Sequence, residues 1–130
     1  MGEHTIRYAV MLHAGSFREA GVIAEGYRFN VPMLIFQSGI TNASAPFMAV
    51  DQPSVVIETV KKAEDGNDLV IRMYESHGGR CPVHLTSWLP VKKAAFCNLI
   101  EMEEQPVKWE NGGVTFNIKP FEIVTLKLTL

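Results

Sequence analysis

From Phe47 onward, turn-forming residues interrupt the sequence at short intervals and leave apolar segments of strand length between them. The interruptions are DQP, EDGND, HGGR, EEQP, ENGG and KP, and no helical periodicity lies between them. Such punctuation is typical of an antiparallel β-sandwich, so the predicted fold class is all-β. In the last segment, alternation predicts a strand whose buried face carries Val124, Leu126, Leu128 and Leu130.

The first 46 residues carry a different pattern. The alternation in HTIRYAVMLH and the apolar run MLIF each predict a strand. Between them, Ser16 and Glu19 form a capping-box pair ahead of apolar residues at helical spacing, and Asn30 supplies a stop. The sandwich should therefore carry one short helix near its N-terminus. Because QSGITNASAP resembles a boundary loop, we expect a strand-helix-strand segment at 1–46 and a β-sandwich domain at 47–130.

Charge and length exclude several classes of protein. Twelve basic and fourteen acidic residues leave a net charge of −2, which attracts neither nucleic acid nor an anionic membrane. A chain of 130 residues suits a single core. It has no apolar run near the roughly 20 residues of a membrane span, and MGEHTIRY lacks the order of a signal peptide. The two cysteines, Cys81 and Cys97, are then expected to be reduced thiols in a cytoplasmic protein.

The stretch MYESHGGRCP, residues 73–82, gathers four reactive side chains around two glycines. It could be a compact active-site loop. The interpretation that we favour is a β-hairpin over residues 68–89, because Gly-Gly is typical of a two-residue turn in which both central residues have positive φ. The tip of this predicted hairpin, His77, Gly78, Gly79 and Arg80, is the candidate site, where side chains in solvent could face another domain or a substrate.

Metal-binding and nucleophilic arrangements are less well supported. Cys81 and His84 are three residues apart, but no second close ligand pair exists, and on a strand the two would point to opposite faces. The sequence has no G-x-S-x-G elbow. Glu101, Glu103 and Glu104 are interpreted as a solvated loop. We therefore predict no catalytic residue, no metal ligand and no cofactor within this chain.

Four aromatic residues allow a further interpretation. Trp88, Trp109, Phe116 and Tyr74 could form a platform for a sugar ring, which would make the chain a carbohydrate-binding module. Aromatic side chains in a sandwich more often belong to the core, and we favour that interpretation.

Three segments, in this order, resemble the C-terminal region of family 38 glycoside hydrolases, the retaining α-mannosidases, and most closely their cytosolic and bacterial branch. They are YAVMLHAGSFREAGVIAEGYRFNVP, SVVIETVKKAEDGNDLVIRMYESHGG and IKPFEIVTLKLTL. The resemblance covers nearly the whole chain. It implies a large zinc-dependent enzyme that hydrolyses terminal α-D-mannose from glycans and in which earlier domains carry the metal and the catalytic Asp. None of those functional residues maps onto this sequence.

The resemblance also implies the partners of this chain. They would be the missing N-terminal catalytic domains, for which the sandwich would act as a scaffold. The glycan substrate would bind to those domains and not to this chain directly. Residues 1–46 would be the tail of a preceding sandwich domain, whose strands are absent here. An uncovered sheet edge is adhesive, so we expect the chain alone to form a homodimer that buries the helix face of Phe17, Ile23 and Tyr27.

Overall fold

The computed structural model describes residues 2–35, 37, 46–102 and 104–130. The chain divides into two units, Met1–Gln37 and Ser38–Leu130. The described residues of the second unit form eight strands in two antiparallel sheets, which confirms the predicted sandwich. The strands are β1 (Met48–Val50), β2 (Val55–Lys62), β3 (Leu69–Glu75), β4 (Cys81–Ser87), β5 (Lys93–Cys97), β6 (Gln105–Val107), β7 (Gly113–Ile118) and β8 (Ile123–Thr129).

The two sheets differ in size and in strand order. The smaller has the order β1-β4-β7, and the larger has the order β2-β3-β8-β5-β6. Strands β2 and β3 form the predicted hairpin through EDGN, with Val55 opposite Glu75 and Lys62 opposite Leu69. In that turn Gly66 has a φ of 87°, a conformation that glycine adopts without steric cost. Strands β5 and β6 also pair within the larger sheet, and at the other connections between consecutive strands the chain changes sheet.

The core lies between the sheets and follows the period-two alternation of the strands. Its fully buried members include Ile71, Met73, Val83, Leu85, Ile118, Leu126 and Leu128. Each such side chain contributes about 1.5–3 kcal/mol when it leaves water. The predicted buried face of β8 is confirmed at Leu126 and Leu128, with Val124 packed against the core. Leu130 is 39% exposed because it lies beyond the last residue pair of the sheet, Lys93 with Thr129.

The predicted hairpin over residues 68–89 is wrong. Strand β3 pairs with β2 and β8, whereas β4 pairs with β1 and β7 in the other sheet. Both edges of β3 are therefore occupied, and residues 76–80 carry the chain from the larger sheet to the smaller one. Residues 119–122 carry it back, from β7 to β8. These two segments are called the first and second crossovers below.

The first unit contains the predicted helix, α1 (Val22–Asn30), which begins later than expected. The capping-box contacts are present, since Ser16 N donates to Glu19 Oε2 at 2.8 Å and Glu19 N donates to Ser16 Oγ at 3.3 Å. They close a turn rather than the helix, because Gly21 has a φ of 67° and interrupts the α conformation. The predicted stop at Asn30 is confirmed.

The two strands predicted in the first unit are not formed. Residues 4–13 and 33–35 belong to no sheet, and Phe36 lies outside the described residues. Alternation identifies one face of a strand, but a strand also needs a hydrogen-bonding neighbour. The apolar alternating residues are consequently exposed, from 83% at Ile6 to 94% at Leu12. No helix within the described part of the chain is long and apolar enough to cross a membrane.

Candidate functional site

The two crossovers meet around the side chain of Glu75, the last residue of β3. This carboxylate is fully buried. Its Oε1 accepts the backbone N–H of His77 at 2.9 Å, and its Oε2 accepts those of Gly78 at 2.7 Å and Phe121 at 3.1 Å. One acidic group therefore joins the first crossover to the second.

Burial of Glu75 favours its neutral form and would raise the pKa of the carboxyl group. Donation from the backbone N–H groups of Phe121, His77 and Gly78 acts in the opposite direction and prevails, so the pKa lies below its ordinary value. The carboxylate is thus ionised at neutral pH. The dipoles of the donating peptide groups stabilise its negative charge, since no ion pair links Glu75 to a cation among the described residues.

The two glycines of the first crossover have different roles. Gly78 has a φ of 73°, as predicted, and a Cβ atom there would lie 2.8 Å from Cζ of Phe121. Gly79 lies outside the positive-φ region, so the prediction of positive φ at both glycines is wrong. A Cβ on Gly79 would meet only Oε1 of Glu75, at an ordinary 3.8 Å. The crossover bends at one glycine because it need not reverse the chain within a single sheet.

The candidate residues at the predicted tip therefore lie on a crossover rather than on a hairpin. His77 is half-buried and Arg80 is exposed. Neither the His77 ring nor the Arg80 guanidinium forms a hydrogen bond or an ion pair with any residue that the structure describes. The backbone of this segment is organised by Glu75, and its two polar side chains remain available to a group outside the described chain.

Sequence reasoning missed Glu75 and Phe121 as the organising residues. Glu75 follows Ile71 and Met73 on the core face of β3, so its position in the alternation was the available signal. A glutamate on a core face must find partners, because an isolated buried charge is very costly. Phe121 has a φ of 57°, unusual for a residue other than glycine, and is 68% exposed. The sequence carries no comparable signal for it.

The described residues contain no group of three or more His, Cys, Asp or Glu side chains arranged to hold a metal ion. The His84 ring lies 2.9 Å from Thr115 Oγ1 on the outer side of the smaller sheet, whereas Cys81 packs against the core. Their predicted location on opposite faces is confirmed. Both cysteines are free, and burial raises the pKa of the Cys97 thiol, which favours the unreactive protonated form.

The aromatic residues are divided between core and surface. Phe116 packs against the core and meets Phe96 edge to face at a centroid distance of 5.3 Å. Trp109 also packs against the core, and it borders a groove of about 280 Å³ together with Asp68, Lys93 and Thr129. Trp88 is 66% exposed, so the core interpretation is wrong for this residue.

Comparisons with known proteins place this architecture in a family. The family model described as "Glycosyl hydrolases family 38 C-terminal beta sandwich domain" matches residues 54–126. Alpha-mannosidase 2C1 of Mus musculus is 36% identical over 100% of this chain, and alpha-mannosidase G of Dictyostelium discoideum is 36% identical over 98%. Alpha-mannosidase 2C1 of Homo sapiens is 36% identical over 99%. The chain spans only 12–13% of the length of these relatives. It belongs to the family 38 glycosyl hydrolases, as a C-terminal β-sandwich domain of that family.

Proposed function

We propose that this chain is the C-terminal part of a larger α-mannosidase, a glycosidase that releases terminal α-D-mannose from glycans. The observation that carries the proposal is the extent of the match. Three α-mannosidases align with 98–100% of this chain, while the chain accounts for 12–13% of their length. The remaining length of such a protein would contain the catalytic residues.

The role proposed for this part is that of a scaffold for the catalytic domains. Among the described residues, both buried carboxylates with a lowered pKa are engaged by the fold. Glu75 accepts backbone donors that join the crossovers, and Glu101 accepts Lys61 Nζ and Glu64 N. The zinc that the family resemblance implies does not fit this chain, because its described residues supply no set of three ligands. We therefore assign the zinc and the catalytic carboxylates to the preceding domains. The two free thiols accord with the cytoplasmic location that we propose for the whole enzyme.

The first prediction concerns activity. The purified 130-residue chain should hydrolyse no aryl α-mannoside above a blank, with or without added zinc, because a retaining glycosidase needs two placed carboxyl groups. A longer polypeptide from the same gene that includes the preceding domains should hydrolyse it. The measurement is release of the aryl alcohol at equal molar concentrations of the two proteins.

Two results would contradict this proposal. Turnover by the 130-residue chain would place catalysis in the sandwich, and the absence of a longer polypeptide or of its activity would remove the mannosidase assignment.

The groove bordered by Trp109 supports a weaker alternative, direct carbohydrate binding. Quenching of tryptophan fluorescence by mannose in the same samples would favour that alternative.

The second prediction concerns self-association of the isolated chain, which we propose to be a homodimer. The alternating residues Ile6, Tyr8, Val10 and Leu12 are 83–94% exposed, and they form a long apolar row without a strand partner among the described residues. Phe17, another member of the proposed contact, is 47% exposed. Light scattering over a dilution series should show a dimer that dissociates on dilution.

A pair of variants tests whether the apolar row causes the association. Val10→Lys should shift the dimer toward monomer, whereas Ala9→Lys, on the other side of the alternation, should leave the equilibrium unchanged. A monomer at every concentration, or equal effects of the two lysines, would contradict the proposal.

A further inference from the structure

The loop after β5 presents three apolar side chains to solvent. Strand β5 ends at Cys97, although apolar residues continue beyond it in the sequence. Leu99, Ile100 and Met102 are 57%, 71% and 61% exposed. Residues 98–102 are called the apolar loop below. Apolar side chains that are exposed together rather than singly are candidates for a contact surface.

Hydrogen bonds within the apolar loop fix its shape. The side-chain carbonyl of Asn98 accepts the backbone N–H of Ile100 at 3.1 Å and that of Met102 at 2.9 Å. The backbone of Asn98 donates to Met102 O at 3.0 Å and accepts from Glu101 N at 3.0 Å. Glu101 has a φ of 65°, which is uncommon for a residue with a Cβ atom. The loop is therefore a defined turn rather than a loose connection.

Contacts with the larger sheet hold the apolar loop in place. Glu101 is only 9% exposed, and its carboxylate accepts Lys61 Nζ and Glu64 N, each at 2.8 Å. The interpretation of Glu101 as part of a solvated loop is thus wrong. Hydrogen bonds from Lys61 and from Glu64 N hold the pKa of Glu101 below its ordinary value. Arg72 Nη2 donates to Leu99 O at 2.9 Å, which fixes the other side of the loop.

An ordinary surface turn exposes its charged side chains and buries its apolar ones, whereas the apolar loop does the opposite. Glu101 faces the sheet, while its neighbours Ile100 and Met102 face water. The local conformation at Glu101 is unfavourable by itself and persists because the surrounding contacts impose it. An arrangement that keeps three large apolar side chains in water and fixes their geometry is suited to docking.

We propose that the apolar loop is the contact by which this sandwich docks onto the preceding part of the same longer polypeptide. This inference rests on the proposed function. The relatives extend well beyond the 12–13% of their length that this chain matches, so they contain the additional surface that the docking requires.

The small area of the apolar loop favours a tethered partner over a second copy. Burying three side chains of this size removes roughly 200–350 Å² from water. A stable interface between separate proteins buries about 1,200–2,000 Å². A contact within one polypeptide can be much smaller, because the tether gives its two sides a high effective concentration.

Hydrogen exchange of the apolar loop in two proteins tests this docking. The backbone amides of residues 98–102 should exchange at least about tenfold more slowly in the longer polypeptide than in the 130-residue chain. Amides of the turn at residues 110–113, whose hydrogen bonds join Glu110 and Gly113 and do not involve the loop, should exchange equally in both. The variant pair Ile100→Ser and Val60→Ser provides the control, since Val60 is a 39% exposed apolar residue on β2, outside the loop. Only Ile100→Ser should abolish the added protection, and neither variant should unfold the 130-residue chain.

The possible outcomes separate this inference from the proposed function. An active longer polypeptide whose loop amides are no better protected would overturn the docking and leave the mannosidase assignment intact. An inactive longer polypeptide with a protected loop would support the docking and overturn the mannosidase assignment. The absence of a longer polypeptide would overturn both the docking and the mannosidase assignment. Protection that appears in the 130-residue chain and increases with its concentration would identify a second copy as the occupant and overturn the docking.

Discussion

Replacing Glu75 with glutamine is expected to lower the free energy of unfolding by about 2–4 kcal/mol, because a buried carboxylate that accepts several N–H groups becomes an amide that can accept fewer. In the native chain the two carboxylate oxygens accept backbone N–H groups of His77, Gly78 and Phe121. The –NH₂ group of the glutamine side chain would instead place a hydrogen-bond donor against backbone N–H groups, which are also donors. Both crossovers would lose their common anchor, and urea denaturation at pH 7 measures the loss.

The difference between wild type and Glu75→Gln should depend on pH in a known direction. The pKa of Glu75 is lowered in the folded chain, so its contribution to stability is complete above the ordinary pKa of about 4.5. That contribution is lost as the pH falls from the ordinary value through the lowered one, because in this range the unfolded state binds the proton more readily than the folded state does. The stability gap between the two proteins should therefore be largest at neutral pH and should narrow below pH 4.5.

Glu122→Gln provides the matched control for this prediction. Glu122 belongs to the second crossover, its side chain is 31% exposed, and its carboxylate accepts one backbone N–H, that of Lys119 at 2.7 Å. The same chemical change should cost less than about 1 kcal/mol there. Equal losses at the two positions, or a gap at Glu75 that stays constant between pH 7 and pH 3, would show that the buried carboxylate does not organise the crossovers.

Replacing Gly78 with valine should destabilise the chain by at least about 2 kcal/mol, because a β-branched residue is strongly disfavoured at positive φ. The φ of 73° positions the N–H of Gly78 toward Glu75, and the new side chain would also displace the ring of Phe121. Relaxation of the backbone would weaken that hydrogen bond. Thermal unfolding followed by circular dichroism measures the effect.

Gly79→Val is the control, and it should change stability by less than about 0.5 kcal/mol, because Gly79 is exposed and lies outside the positive-φ region. Comparing the two valine variants therefore distinguishes the crossover from a two-residue hairpin turn, because the hairpin turn would need positive φ at both Gly78 and Gly79. Similar losses for the two valine variants would support the hairpin turn and contradict the crossover geometry.

The location of the candidate site could be predicted only in part. Two consecutive glycines between alternating segments correctly indicated a sharp change of direction at residues 76–80. The pairing of β3 with β2 could be predicted, but the other partners of the flanking strands could not, because β8 is distant in sequence from β3, and β1 and β7 are distant from β4. The role of Phe121 depends on the same pairing, since only the meeting of the two crossovers brings its N–H to Glu75.

Local chemistry was enough to predict the longer strands of the sandwich and the side chains that are buried in β8, but not β6, which lies where an interruption was predicted. It was also enough to end α1 at Asn30, because backbone propensity, alternation and turn residues act within a few positions. Tertiary structure alone decided the rest: that residues 76–80 cross between sheets, that Glu75 joins two crossovers and that Glu101 is buried beneath an apolar loop. Residues 4–13 show the same limit, since an alternating segment is a strand only where another strand satisfies its N–H and C=O groups.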